Sequence, residues 1–185
     1  LGDVYKRQHV AWLANQGMNY LSTDENPERL GNQHPNIVPY QVMPTSDGYI
    51  VLSIGNDPTF ERFCELAGET KLLEDDRFKT NASRVSNREH VTKVLNEVTK
   101  RKTSNEWLSE LEKAKIGCGP INNLSDVFND PHVISRKMVM EMEHSKTGEK
   151  PLKLISNPIK MNETPVSYRY APPLLGEHTN EILKT

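Results

Sequence analysis

Three segments crowd proline, glycine and polar side chains together: RLGNQHPNIVPY (29–40), GCGPINN (117–123) and PPLLGEHTNE (172–181). Loops of this composition can turn backbone N–H groups and side-chain amides toward a ligand, or they can simply be turns. GEHT, at the start of a short predicted helix, also offers N–H groups to an anion. Stronger signatures are missing. There is no Gly-rich phosphate loop and no G-x-S-x-G elbow. His9, His34, His90, His132, His144 and His178 form no H-x-x-x-H unit, and Cys64 and Cys118 stand in no metal-ligand spacing. Asp47, Asp57 and Asp126 read as a turn residue, a helix N-cap and a helix-start residue. No catalytic nucleophile and no metal ligand is therefore named.

The elements that would carry these loops follow from periodicity. Val10, Leu13, Ala14, Gly17 and Leu21 fall at helical spacing. That pattern is already running at its first residue, with no capping residue ahead, and reads as a helix cut in mid-course. The preceding LGDVYKRQ resembles a translated sequencing adapter, so residues 1–8 are set aside from the fold reasoning. VPYQVMPTSDGYIVLSIG predicts a hairpin turning at Asp47-Gly48. NDPTFERFCELAG predicts a helix with Asp57 as N-cap, Pro58 in first position, Gly68 as stop, and Phe60, Phe63, Cys64 and Ala67 buried. Ser86–Glu89 and Thr103–Glu106 read as capping boxes ahead of Val91, Leu95, Val98 and of Trp107, Leu108, Leu111, with Gly117 closing the second helix. LSDVFNDPHV gives one helical turn and a break at Asp130-Pro131. MVMEMEH and KPLKLIS alternate around KTGE as a second hairpin. A short helix near Gly176 ends the chain. The predicted class is α+β with antiparallel sheet.

Composition narrows the function classes. Of 185 residues, 23 are Lys or Arg and 25 Asp or Glu, for a net charge of −2. That balance argues against nucleic-acid or membrane-surface binding driven by bulk charge. No run approaches the roughly 20 apolar residues of a membrane span. Two distant cysteines fit a reducing compartment with both thiols free.

Five blocks in order carry a family resemblance: LGNQHPNIVPYQVMPTSDGYIVL, GNDPTFERFCELAG, DDRFKTNASRVSNRE, GPINNLSDVFNDP and PPLLGEHTNEIL. From residue 9 onward the chain resembles the C-terminal half of the family III CoA-transferases (the CaiB/BaiF group, with formyl-CoA and carnitine CoA-transferases), and within it the succinyl-CoA:dicarboxylate enzymes. The resemblance implies residues 9–30 as a helix of a large domain, 31–137 as linker and small domain, and 138–185 as a segment returning to the large domain. The small α/β domain would carry antiparallel hairpins, and a Rossmann-like half would lie upstream.

Further expectations come from the same likeness. CoA passes from an acyl-CoA, such as succinyl-CoA, to a carboxylic acid through an aspartyl-CoA intermediate. The aspartate lies in the upstream half, which leaves this chain inactive alone. Subunits interlock as homodimers, with linkers near 24–40 and 118–140 threading the partner. No separate cofactor is implied, since the CoA thioester is a substrate. No nucleic-acid or membrane partner is implied, and the compartment is cytoplasmic, or mitochondrial matrix in a eukaryote. His34, Asn36 and Tyr40 are either substrate contacts, with imidazole and amide donating to a carboxylate or developing oxyanion, or residues that only shape the loop. Racemases of the same fold typically carry a Gly-Gly-Ala-Pro-type segment where this chain has His34-Pro35-Asn36. Racemisation stays as the alternative, beside a non-catalytic module binding acyl-CoA or another subunit.

Overall fold

The helical pattern that begins near Val10 folds as two helices rather than one. In the computed structural model, which describes residues 2–184, α1 spans Gly2–Ala11 and α2 Ala14–Thr23. Ala14 takes a φ of 42°, which breaks the helical path, and the Leu13 carbonyl then accepts from Gln16 and Gly17 to restart it. The expected apolar stripe is not covered: Val10, Leu13 and Leu21 are exposed, and α2 buries nothing.

The first hairpin forms as predicted. β1 (Tyr40–Pro44) and β2 (Tyr49–Ser53) pair antiparallel from Tyr40↔Ser53 to Pro44↔Tyr49, and both bury alternate residues, as a half-covered sheet requires. α3 (Asp57–Ala67) follows, but its N-cap is Asn56, whose side chain accepts from the Thr59 N–H at 2.9 Å. Asp57 is displaced one position into the helix, where its carboxylate meets Arg84. Gly68 stops α3 at a φ of 70°, in the left-handed region glycine enters without penalty.

A 3-10 turn over Thr70–Glu74 leads to α4 (Asp76–Lys79), α5 (Asn81–Ser86) and α6 (Arg88–Thr99). The predicted Ser86 capping box does not form. Ser86 is the last residue of α5, and Asn87 leads into α6 with no side-chain cap. Thr103 and Glu106 do form theirs, at the head of α7 (Ser104–Lys113). Gly117 does not close α7. Lys115 makes that turn at a φ of 55°, and Gly117 opens β3 (Gly117–Pro120), part of a segment read as loop. β3 pairs with β2, giving an antiparallel sheet ordered β1-β2-β3. A Cβ on Gly117 would stand 2.9 Å from the Ser53 carbonyl oxygen, so the edge closes only around glycine.

The chain divides into two units, Leu1–Ile121 and Asn122–Thr185. The core of the first joins the inward faces of β1 and β2 (Met43, Ile50, Leu52) to Phe60, Phe63, Phe78, Leu95, Trp107 and Leu111 from the helices. The rings of Phe63 and Trp107 stack with centroids 6.0 Å apart, and the buried Trp107 indole donates to the Thr99 carbonyl at 2.6 Å.

The second unit holds α8 (Leu124–Asn129), α9 (Pro131–Ser135), hairpin β4 (Val139–Met142) with β5 (Leu152–Ile155), and α10 (Thr179–Ile182). The break at Asp130-Pro131 and the second hairpin are as predicted, and Asp130 caps α9. None of its described residues is fully buried. The architecture is α+β, as read from the sequence. Among the described residues no helix is long and apolar enough to cross a membrane.

Candidate functional site

The structure brings His34, Asn36 and Tyr40 together where the loop enters β1. One backbone bond and one side-chain bond close the loop on the strand: His34 N donates to the Tyr40 carbonyl at 2.9 Å, and Val42 N to Asn32 Oδ1 at 2.9 Å. The His34 imidazole then lies flat on the Tyr40 ring, centroids 5.2 Å apart and planes 9° from parallel. Asn36 N donates to His34 Nδ1 at 3.1 Å. A neutral imidazole that accepts at Nδ1 carries its proton on Nε2, so this hydrogen bond assigns the tautomer.

Four side chains the sequence reading did not single out hold the loop. Asn19 of α2 exchanges two amide hydrogen bonds with Asn36, at 3.1 and 2.9 Å. Asn81 of α5 donates to the Asn36 carbonyl at 2.8 Å and accepts from Val38 N at 3.1 Å. Arg84 donates from Nε to the Val38 carbonyl at 2.7 Å, and Arg88 from Nη2 to the Pro35 carbonyl at 2.6 Å. Partial burial pushes the Arg88 guanidinium below its ordinary pKa. A loop with no regular structure satisfies its backbone through side chains, and helices bring those in from 43 to 53 positions away. The only sequence-level signal was the polar density of TNASRVSNRE.

The remaining candidates resolve into structure. GCGPINN is an edge strand followed by the Asn123–Asp126 capping box of α8. At GEHT the Glu177 carboxylate already accepts from Leu174 N at 2.6 Å, and the helix behind it is four residues long. A carboxylate there and so short a helix do not make the anion site allowed for. Asp126 is a helix-start residue as read. Asp47 lies in the hairpin turn, and it also accepts from Ser104 N at 2.8 Å and Ser104 Oγ at 3.0 Å, tying the turn to the head of α7. Those bonds hold its carboxyl below the usual range. Among the described residues no group of three or more His, Cys, Asp or Glu side chains is placed to hold a metal ion.

Chemically, the stacked His34–Tyr40 pair carries two donors, the imidazole Nε2–H and the phenol O–H. The Nε2 edge and the Tyr40 hydroxyl make no hydrogen bond to another described residue. Both suit a carboxylate or a carbonyl oxygen gathering charge.

Comparison with known proteins matches residues 6–179 to the model of CoA-transferase family III. The chain is 38% identical over 173 residues to a succinate–glutarate CoA-transferase of Agrobacterium fabrum, covering 94% of this chain and 43% of that protein. It is 37% identical over 175 residues to the human succinyl-CoA:glutarate CoA-transferase, covering 95% of this chain and 40% of the human one. A CaiB/BaiF family protein from Brucella suis, solved by crystallography, superposes with a TM-score of 0.77 at 38% identity, over 94% of this chain and 44% of that one. The chain thus spans about two fifths of the length of the curated relatives it matches. With a family match over residues 6–179, nearly its whole length, the chain belongs to CoA-transferase family III.

Proposed function

We propose that these residues form part of an enzyme that moves CoA from succinyl-CoA to a dicarboxylic acid, glutarate being the first acceptor to try. The observation that carries this reading is the 38% identity to a succinate–glutarate CoA-transferase across 94% of the chain. The paired donors of His34 and Tyr40 support it from the structure.

In the chemistry proposed, a carboxylate attacks the thioester carbonyl of the donor. The C–S bond breaks, CoA leaves as thiolate and a mixed anhydride forms. The thiolate then attacks the enzyme side of that anhydride, releasing succinate and leaving an enzyme-bound CoA thioester. The acceptor carboxylate repeats the sequence in reverse. Each addition builds negative charge on a former carbonyl oxygen, and a fixed Nε2–H and phenol O–H are suited to stabilise it. Asp47, Asp57 and Asp126 are all committed to structural bonds. From the resemblance to the family, we place the attacking aspartate outside this chain, with the active form a homodimer.

The test is the intact gene product incubated with succinyl-CoA and isotopically labelled glutarate. Labelled glutaryl-CoA is the expected result, together with inactivation by borohydride added after succinyl-CoA, which reduces the enzyme's carboxyl thioester to an alcohol and releases CoA as thiol. Exchange of the α-proton of a branched acyl-CoA without acyl transfer would move the assignment to a racemase.

A further inference from the structure

Asn19 lies within α2, a position asparagine occupies poorly because its amide competes with the local backbone. Here the amide is directed instead to a residue 17 positions away. Asn19 Nδ2 donates to Asn36 Oδ1 at 3.1 Å, and Asn36 Nδ2 donates back to Asn19 Oδ1 at 2.9 Å. In a reciprocal amide pair each partner fixes which end of the other is oxygen, so neither amide can turn over without losing both bonds. Asn36 is also held through its backbone, its carbonyl by Asn81 at 2.8 Å and its N–H on His34 Nδ1 at 3.1 Å. The His34 imidazole is thus oriented by a residue that is itself oriented from α2.

We propose that Asn19 is a positioning residue. Through Asn36 it keeps the N–H on His34 Nδ1, which holds His34 in the Nε2–H tautomer with its ring flat on Tyr40 and leaves one aimed donor for a substrate carboxylate or thioester oxygen. The consequence for turnover rests on the transferase reading above, whereas the effect on the His34 tautomer does not. The wider loop need not collapse without Asn19, because Asn81, Arg84 and Arg88 still anchor its backbone. Losing Asn19 should therefore cost aim more than fold.

The experiment labels the histidine ring nitrogens and reads tautomers from long-range proton–nitrogen correlations. The His34 signal is assigned by its loss in His34→Gln. Asn19→Ala removes both amide bonds. Asn19→Asp keeps the size and still accepts from Asn36 Nδ2, but cannot donate to Asn36 Oδ1. The buried Trp107 indole N–H, bonded to Thr99, reports whether the core is unchanged. The wild-type protein should show a single Nε2–H pattern, and both variants a mixture of tautomers with the Trp107 signal in place. In the intact enzyme kcat should fall roughly tenfold with the donor KM within about twofold, less than the 10²–10³ seen for outright loss of an oxyanion donor. A His34 pattern unchanged in both variants overturns the proposal even if the enzyme transfers CoA. A shifted pattern in a protein that transfers no CoA upholds the positioning role and removes the transferase reading.

Discussion

The Arg84 guanidinium, 0% exposed, donates from Nη2 to Asp57 Oδ1 at 2.8 Å. Its other nitrogens reach the Val38 carbonyl at 2.7 Å and the Phe78 carbonyl at 2.8 Å, and its carbon lies 4.3 Å over the Phe60 ring. One buried cation therefore joins the loop ahead of β1, the head of α3, the α4 turn and the aromatic core. Such a charge is tolerable only while its donors are satisfied.

Removing the buried guanidinium strands the two acceptors it serves in the core, the Val38 and Phe78 carbonyls, whereas the 41% exposed Asp57 side chain can turn to water. Arg84→Ala should lower unfolding stability by about 2–6 kcal/mol, at about 1–3 kcal/mol for each buried carbonyl left without a donor. Asp57→Asn retains an acceptor oxygen and should cost clearly less. Urea titrations of both variants check this. An Arg84→Ala midpoint near that of the wild type would show that the guanidinium is not the joint described.

On the transferase reading proposed above, His34→Ala should reduce kcat of the intact enzyme by about 10²–10³, as expected where one oxyanion donor is removed. Tyr40→Phe keeps the ring that backs His34 and removes only the hydroxyl, so its loss should be smaller. Steady-state transfer kinetics at fixed acceptor, with circular dichroism as the fold control, separate the two. Equal and small effects would place the pair outside the chemistry.

Asp47 gives stability a pH signature. Its folded pKa lies below the ordinary 3.8 because Ser104 donates to the ionised carboxylate. The contribution is therefore fully present above the unfolded value and is lost as pH falls through the lower folded value. The gap in urea midpoint between wild type and Asp47→Asn should stay constant from pH 7 down to about 5 and close below 3.8. A gap that widens in acid would reverse the assignment.

The two thiols should differ in reactivity. Burial pushes Cys64 up to about 12, and its side chain has no solvent access, while Cys118 is only partly buried. Because the thiolate is the reacting form, an alkylating reagent at pH 8 should label Cys118 first and Cys64 only on unfolding. Peptide mapping of the alkylated chain reads the order directly. Comparable labelling of both in the native chain would contradict the burial of Cys64 behind Phe60 and Phe63.

Exposed apolar surface should make the 185-residue chain associate by itself. Trp12 is 77% exposed and Leu21 73%, and in the second unit Phe128, Ile134, Val139 and Ile155 line an open groove of about 550 Å³. Sedimentation velocity over a concentration series should show growing oligomers. A monodisperse monomer with a cooperative thermal transition would count against it.

What the sequence determined by itself was local. Alternation read out both hairpins, since a half-covered strand must alternate, and Gly68, the Thr103–Glu106 box and Asp130-Pro131 punctuate helices by bonds spanning only a few residues. The ordered blocks also carried the family. Tertiary structure decided the rest. Asn56 caps α3, and Asp57 beside it is bonded by Arg84 from 27 positions away. β3 has no alternating pattern to find; it pairs with the β2 edge, where Gly117 lies so close to the Ser53 carbonyl that a Cβ would not fit. The clamp on the site, from Asn19, Asn81, Arg84 and Arg88, joins residues whose nearness no spacing encodes. Local bonds are written in short-range residue order, whereas long-range ones appear only when packing has brought distant side chains within hydrogen-bond reach.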